Sequence, residues 1–203
     1  MWVKDYQSMK LNLKKVCVFC GSSSGKRAEY AEAAIDLGRE LVRQNIGLVY
    51  GGGDVGLMGI IADTVMSEGG EVTGVIPQFL AQKEVAHKDL TELRIVDSMH
   101  ERKALMSELS DGFIALPGGI GTFEELIEVL TWQQLGVQAK PCAVLNSCDY
   151  FEHMLEQLDH AVAEEFLKPI HRDMLLVASS PADLIALLMN YEHSHSDKWI
   201  DRT

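Results

Sequence analysis

The sequence predicts an α/β fold, a Rossmann-like doubly wound parallel sheet of about seven strands with helices on both faces. Short apolar runs recur along the chain and read as strands buried on both sides. Segments with helical spacing alternate with them, the pattern of a parallel sheet joined by right-handed crossovers. Three strand ends then pass directly into turns rich in glycine and serine.

In chain order the buried strands are expected at KVCVFC, IGLVY, EVTGVI, LRIVD, DGFIAL, PCAVLN and LLVAS. Helices are expected near 26–45, 57–68, 98–109, 121–136, 149–164 and 181–190. The segment PQFLAQKEVAHKDL, residues 77–90, has no strong helical stripe and reads either as a cover over a site or as a connection with one short helix. No repeat interrupts the pattern, so residues 1–203 read as one nucleotide-binding domain. Its ordered core is expected at about 15–191, with loosely held ends that include His193 and His195.

A net charge of −12 argues against a general nucleic-acid binder, because phosphate backbones need a basic face. A single nucleotide is compatible with that charge, since a few local cations and amides suffice to hold it. No run of apolar residues is long enough to span a membrane, and MWVKDYQSMKLNLKK has no apolar core or cleavage signal. A cytoplasmic protein is expected. Cys17, Cys20, Cys142 and Cys148 read as small apolar residues of a reduced protein rather than as a zinc site, because their spacing is unusual for zinc.

The glycine turns are GSSSGKR at 21–27, GGGDVGLMG at 51–59 and PGGIGT at 117–122. Ligands of open parallel sheets gather at the carboxyl ends of the strands, so three such turns make one broad binding edge. The first is one residue short of a Walker loop and carries Arg27 where a magnesium-binding hydroxyl belongs. The second matches a dinucleotide fingerprint but sits on the second strand, and the following strand ends in Ile76-Pro77 rather than an acid. The third leads into a helix, so its amides and the positive helix end suit an anion. Glu124 and Glu125 in that helix would repel a phosphate unless they serve another part of the ligand.

Residues 97–109, DSMHERKALMSEL, open with Ser98 and Glu101 at capping-box spacing. Arg102 and Lys103 follow in the first turns, where cations are unfavourable. Arg102 then either pairs with Glu101 or Asp97 or forks onto a carboxylate or phosphate. Met58, Met99, Met106 and Trp132 could line a pocket for an apolar substituent, although such spacing more often marks core.

With CVFCGSSSG, VYGGGDVGLMG, MHERK, LPGGIGTFEEL and TWQQLG in view, the chain resembles the LONELY GUY (LOG) family from about Lys15 to Tyr191. The signature PGGxGTxxE is met by Pro117, Gly118, Gly119, Gly121, Thr122 and Glu125. The resemblance implies hydrolysis of the N-glycosidic bond of N6-substituted adenosine 5′-monophosphates, or of AMP, to free base and ribose 5-phosphate. It implies no cofactor and no metal, a nucleotide monophosphate as ligand, and a homodimer with sites near the interface. The family's catalytic Arg and Glu fall on Arg102 and Glu125. Its ligand contacts fall on Glu84, Lys103, the turn from Gly119 through Ile120, Gly121, Thr122 and Phe123 to Glu124, and Thr131. Gly118, and Ser22 and Gly53 from the other two turns, complete the expected site. The same fold family includes molybdenum-cofactor carriers and nucleotide sensors, so a non-catalytic carrier or sensor is the alternative. Lysine decarboxylation, a label the family has also carried, needs pyridoxal phosphate on a lysine, and neither Lys103 nor Lys140 has that context.

Overall fold

The computed structural model describes residues 12–81 and 86–192. Its centre is an all-parallel seven-stranded sheet in the order β4-β3-β2-β1-β5-β6-β7. The strands are β1 (Lys15–Phe19), β2 (Gly47–Tyr50), β3 (Val72–Pro77), β4 (Glu92–Val96), β5 (Gly112–Ala115), β6 (Cys142–Leu145) and β7 (Leu175–Ala178). The helices are α1 (Ala28–Arg43), α2 (Gly56–Ser67), α3 (Gln78–Ala81), α4 (Met99–Glu108), α5 (Ile120–Gln134), α6 (Glu152–Ala163), α7 (Pro169–Arg172) and α8 (Pro181–Met189).

The doubly wound sheet matches the expectation, and the central strands are buried along nearly their whole length. One core lies under α1, α2 and α8, built on Val16, Val18, Leu48 and Tyr50 with Leu37, Leu41, Ile61 and Leu184. The other core joins Cys17, Phe19, Val49 and Phe113 to Met106, Leu126, Val129 and Phe151 from the opposite side. Alternate residues of β1 thus serve opposite layers, as the period of two along a strand requires. Cys17 and Cys142 are buried in strands as small apolar residues, Cys20 is buried just beyond β1, and Cys148 is half-buried in a turn.

Two strands differ from the expectation of full burial. β4 and β7 are the sheet edges, and both are half-exposed. An apolar run signals a strand but not its place in the sheet; Arg94 within β4 is the kind of charge that edge strands carry. The short helices α3 and α7 and the 3-10 turn Ser147–Asp149 are finer than helical spacing resolves. Tyr191, expected to begin a loose tail, accepts a hydrogen bond at its hydroxyl from Gln133 Nε2 at 2.6 Å.

From β1 the chain winds outward through β2, β3 and β4, then returns to the other side of β1 as β5. Crossovers after β1 and β5 therefore diverge, leaving a crevice between the carboxyl ends of these two strands.

Candidate active site

The first and third glycine turns meet in that crevice. Leu116 N donates to Phe19 O at 2.9 Å, Gly21 N to Pro117 O at 3.0 Å, and Leu57 N to Gly21 O at 3.0 Å. These bonds tie the starts of α2 and α5 to the turn after β1. Gly119 caps α5 with no side-chain hydrogen bond, so the first amides of the helix are left for an outside acceptor.

The glycines of this turn have different physical reasons. A Cβ on Gly118 would lie 2.1 Å from Thr122 Oγ1 and 2.8 Å from Gly21 N, so close packing requires glycine. A Cβ on Gly119 or Gly121 would meet nothing within 4 Å, and neither residue has a positive φ. Both border a cavity of about 300 Å³. Internal packing does not demand glycine at these two positions, whereas close approach of a ligand to bare amides would.

Arg102 and Glu125 meet in the same cavity. Ser98 caps α4 by accepting from Glu101 N at 3.2 Å, and Glu101 reaches back to accept from Asp97 N at 2.9 Å. Arg102, on the first turns of the helix, points into the sheet end. Its Nε donates to Val75 O at 3.2 Å, its Nη2 to Gly51 O at 3.4 Å, and its Nη1 lies 3.5 Å from Glu125 Oε1. Gly51 is glycine because a Cβ there would stand 2.0 Å from Arg102 Nη2. Both side chains of the pair are almost wholly buried, at 12% and 11% exposure. Burial pushes the Glu125 carboxyl above its ordinary pKa, and the Arg102 guanidinium partly opposes that shift. A carboxylate of raised pKa beside a fixed cation is equipped to stabilise positive charge or to take a proton.

Lys103, its side chain 11% exposed, joins the next rung of the same two helices. Its ammonium contacts Glu124 at 2.5 Å and Glu128 at 3.0 Å. Burial opposes the charged form, yet the two carboxylates hold its pKa above the usual value. The outer Lys103–Glu124–Glu128 cluster and the inner Arg102–Glu125 pair together fasten α4 to α5.

The cavity therefore gathers Ser22, Gly119, Ile120, Gly121, Thr122, Arg102 and Glu125 from the sequence-expected residues. Gly118 borders an adjoining compartment. Gly53 instead forms an antiparallel bridge to Ala86, pinning the end of the 77–90 segment, and Phe123 packs against Tyr150 and Phe151. Thr131 lies on the exposed side of α5, its hydroxyl donating to Ile127 O at 2.7 Å. Glu84, like His193 and His195, falls outside the described residues. Cys20, Gly21, Gly51 and Leu80 also line the cavity and were absent from the expected site. Met58, one of the residues offered for a pocket, lines the cavity, whereas Met106, offered with it, is 1% exposed and belongs to the core.

Comparison with known proteins bears on the family and on the fold. The family model described as "Possible lysine decarboxylase" matches residues 58–188. A probable cytokinin riboside 5′-monophosphate phosphoribohydrolase from Oryza sativa subsp. japonica, LOGL9, is 51% identical over 88% of this chain and 78% of its own length. The Arabidopsis thaliana cytokinin riboside 5′-monophosphate phosphoribohydrolase LOG3 is 46% identical over 96% of this chain and 91% of its own. Among solved structures, the molybdenum cofactor binding protein from Rippkaea orientalis superposes with a TM-score of 0.64 at 22% identity, over 85% of this chain and 93% of that one. The molybdenum cofactor carrier protein of Chlamydomonas reinhardtii does so with a TM-score of 0.64 at 19% identity over the same shares. At that identity the structural likeness speaks for the fold alone. The sequence relationship goes further: the chain belongs to the LONELY GUY (LOG) family.

Proposed function

We propose that this protein hydrolyses the N-glycosidic bond of N6-substituted adenosine 5′-monophosphates, and of AMP, releasing the free base and ribose 5-phosphate. The observation that carries the reading is the buried Arg102–Glu125 pair sharing one cavity with the uncapped start of α5. The names of the relatives supply the substrate class.

The 5′-phosphate rests on the amides of Gly119–Thr122, where the helix dipole favours an anion. Glu125 begins ~4–5 Å further along the helix axis, at ~1.5 Å per residue, and its side chain reaches towards the ribose. Cleavage of the glycosidic bond develops positive charge on the sugar. An ionised Glu125 stabilises that charge more than it stabilises the neutral ground state, which is the condition for catalysis. It also takes the proton of the attacking water, whose hydroxyl goes to C1′, while the departing base gains a proton from solvent, so that one water is consumed overall. Arg102, anchored on Val75 O and Gly51 O, keeps Glu125 ionised and oriented. No step of this scheme calls on a metal or cofactor, and activity should persist in EDTA. Lysine decarboxylation finds less support: Lys103 is held by two carboxylates and Lys140 Nζ donates to Ser107 O, so neither serves the cavity.

The reading extends to a one-domain cytoplasmic enzyme acting as a homodimer. The outer face of α5 exposes Ile120 and Ile127, with Leu135 just past its end, a stripe suited to a second copy. Thr131 shares that face, ~14 Å along the axis from Thr122, so it would reach a nucleotide bound by the partner rather than its own. Light scattering checks the dimer; a monomer at micromolar concentration would remove it. The activity itself is tested by incubating AMP and adenosine separately with the protein and following adenine and ribose 5-phosphate by chromatography. Release from AMP alone supports the reading, and equal release from adenosine contradicts it.

A further inference from the structure

We infer that Tyr150, which lies outside the Arg102–Glu125 cavity, is a positioning residue that holds and polarises the peptide between Gly118 and Gly119 at the head of α5. The inference rests on the reading that this helix start carries the substrate's phosphate.

The Tyr150 hydroxyl donates to the carbonyl of Gly118. That carbonyl and the Gly119 N–H are the two ends of one peptide group. A hydrogen bond accepted at the oxygen draws electron density from the nitrogen and makes its N–H a stronger donor. Tyr150 therefore acts on an anion at Gly119 without touching it. The phenol is fixed in place by three rings: Phe123 stacked at 6.3 Å, and Tyr30 and Phe151 edge-on at 5.7 and 5.1 Å.

The backbone before it gives an independent sign. Cys148 and Asp149 both adopt left-handed conformations, with φ of 53° and 56°. Side chains with a Cβ avoid this region, and two such residues in succession persist only where the surroundings enforce them. This turn delivers the next residue, Tyr150, from the end of β6 to the turn after β5. The ring also borders a second compartment of about 300 Å³ with Ser23, Tyr30 and Leu57, which meets the first cavity at Gly21, Ser22 and Gly119. The three rings hold the phenol, and its hydroxyl is aimed at Gly118 O.

Tyr150→Phe removes the hydroxyl and keeps the ring, and Tyr30→Phe serves as the packing control. Titration calorimetry with ribose 5-phosphate and with inorganic phosphate reads the cradle directly, and steady-state kinetics on AMP reads its consequence. The bond to Gly118 O is made with and without ligand, so only its strengthening of the Gly119 N–H enters affinity, and both ligands should weaken in Tyr150→Phe by about 1.5- to fourfold. KM for AMP should rise by the same factor with kcat changed less than about twofold, and Tyr30→Phe should match wild type. Unchanged phosphate affinity in Tyr150→Phe, or an equal loss in Tyr30→Phe, overturns the inference while leaving the proposed activity intact. Wild-type protein that binds neither ligand overturns the phosphate reading itself, and this inference with it.

Discussion

Replacing Gly51 with Ala should separate activity from stability at the Arg102–Glu125 pair, if the pair is catalytic as proposed. The added Cβ would stand 2.0 Å from Arg102 Nη2 and 3.4 Å from Met58 Sδ. Ordinary contact requires the guanidinium to retreat by about 1.4 Å. Gly51 has no positive φ, so its backbone accepts alanine and the burden falls on the arginine. Retreat breaks the 3.4 Å bond to Gly51 O and opens the 3.5 Å contact with Glu125. Overpacking of this kind costs about 1–3 kcal/mol, and the low end applies because the tip of a long side chain yields. For a chain of this size that is a Tm lower by about 2–4 °C per kcal/mol. Misplacement of a catalytic group by ~1 Å costs turnover about 10²-fold. The variant should therefore fold, melt a few degrees lower and show kcat down by roughly two orders of magnitude. Glu125, less well paired, should also move its acid limb to higher pH. Thermal melts and initial rates of base release on one preparation decide the matter. A folded Gly51→Ala enzyme within about threefold of wild-type turnover would refute the reasoning, since the position of Arg102 would then not matter.

Gly121→Ala tests the ligand side of the same geometry. Alanine meets open space in the first turn of a helix, so it should raise stability by about 0.5–1 kcal/mol while raising KM for AMP at least ~10-fold through crowding of the phosphate; melting and kinetics check both signs. Gly118→Ala collides with Thr122 Oγ1 and Gly21 N, and should lower Tm as well as activity, in contrast to its neighbour. The acid limb of kcat should lie above the ordinary carboxylate range, because Glu125 must be ionised and its pKa is raised; a pH–rate profile measures it, and Glu125→Gln should remove it. The same shift has a stability counterpart of defined sign. The folded state binds a proton at Glu125 that the unfolded chain releases, so this group's contribution is favourable below the ordinary pKa and is lost as pH rises through the raised value. The Tm difference between wild type and Glu125→Gln should therefore change across that window in the direction of falling wild-type stability.

Much of this molecule was legible because local chemistry and global fold agree. The runs KVCVFC and DGFIAL announced β1 and β5, and the small residues that follow marked the crevice between them. Arg102 was conspicuous as a cation in the wrong end of a helix, and its partner is Glu125 on another element rather than the nearby Glu101 or Asp97. Lys103 presented the same signal but pairs with Glu124 and Glu128 instead, because the next residue on a helix points about 100° away. Contacts that depend on topology left no local trace. Val75 O and Gly51 O receive Arg102 only because β2 and β3 lie beside one another. Strand rank was legible only in part: Arg94 within LRIVD is a charge of the edge-strand kind, whereas LLVAS carries no charge and yet forms the other edge. The 77–90 segment holds the short helix that one of its two readings allowed, α3, but nothing in its pattern marked His87, which is buried and lies 2.9 Å from Asp63.

The central claim is that Glu125, beside the start of α5, performs glycosidic hydrolysis on 5′-monophosphates. Its most direct test is kcat for base release from isopentenyladenosine 5′-monophosphate by wild type and Glu125→Gln, with nucleotide Kd measured on both. The account predicts release by the wild type, a fall in kcat of at least ~10²-fold in the variant, and affinity within a few-fold. Near-normal turnover by a folded Glu125→Gln protein would contradict it, as would a wild type that binds the nucleotide tightly and releases no base.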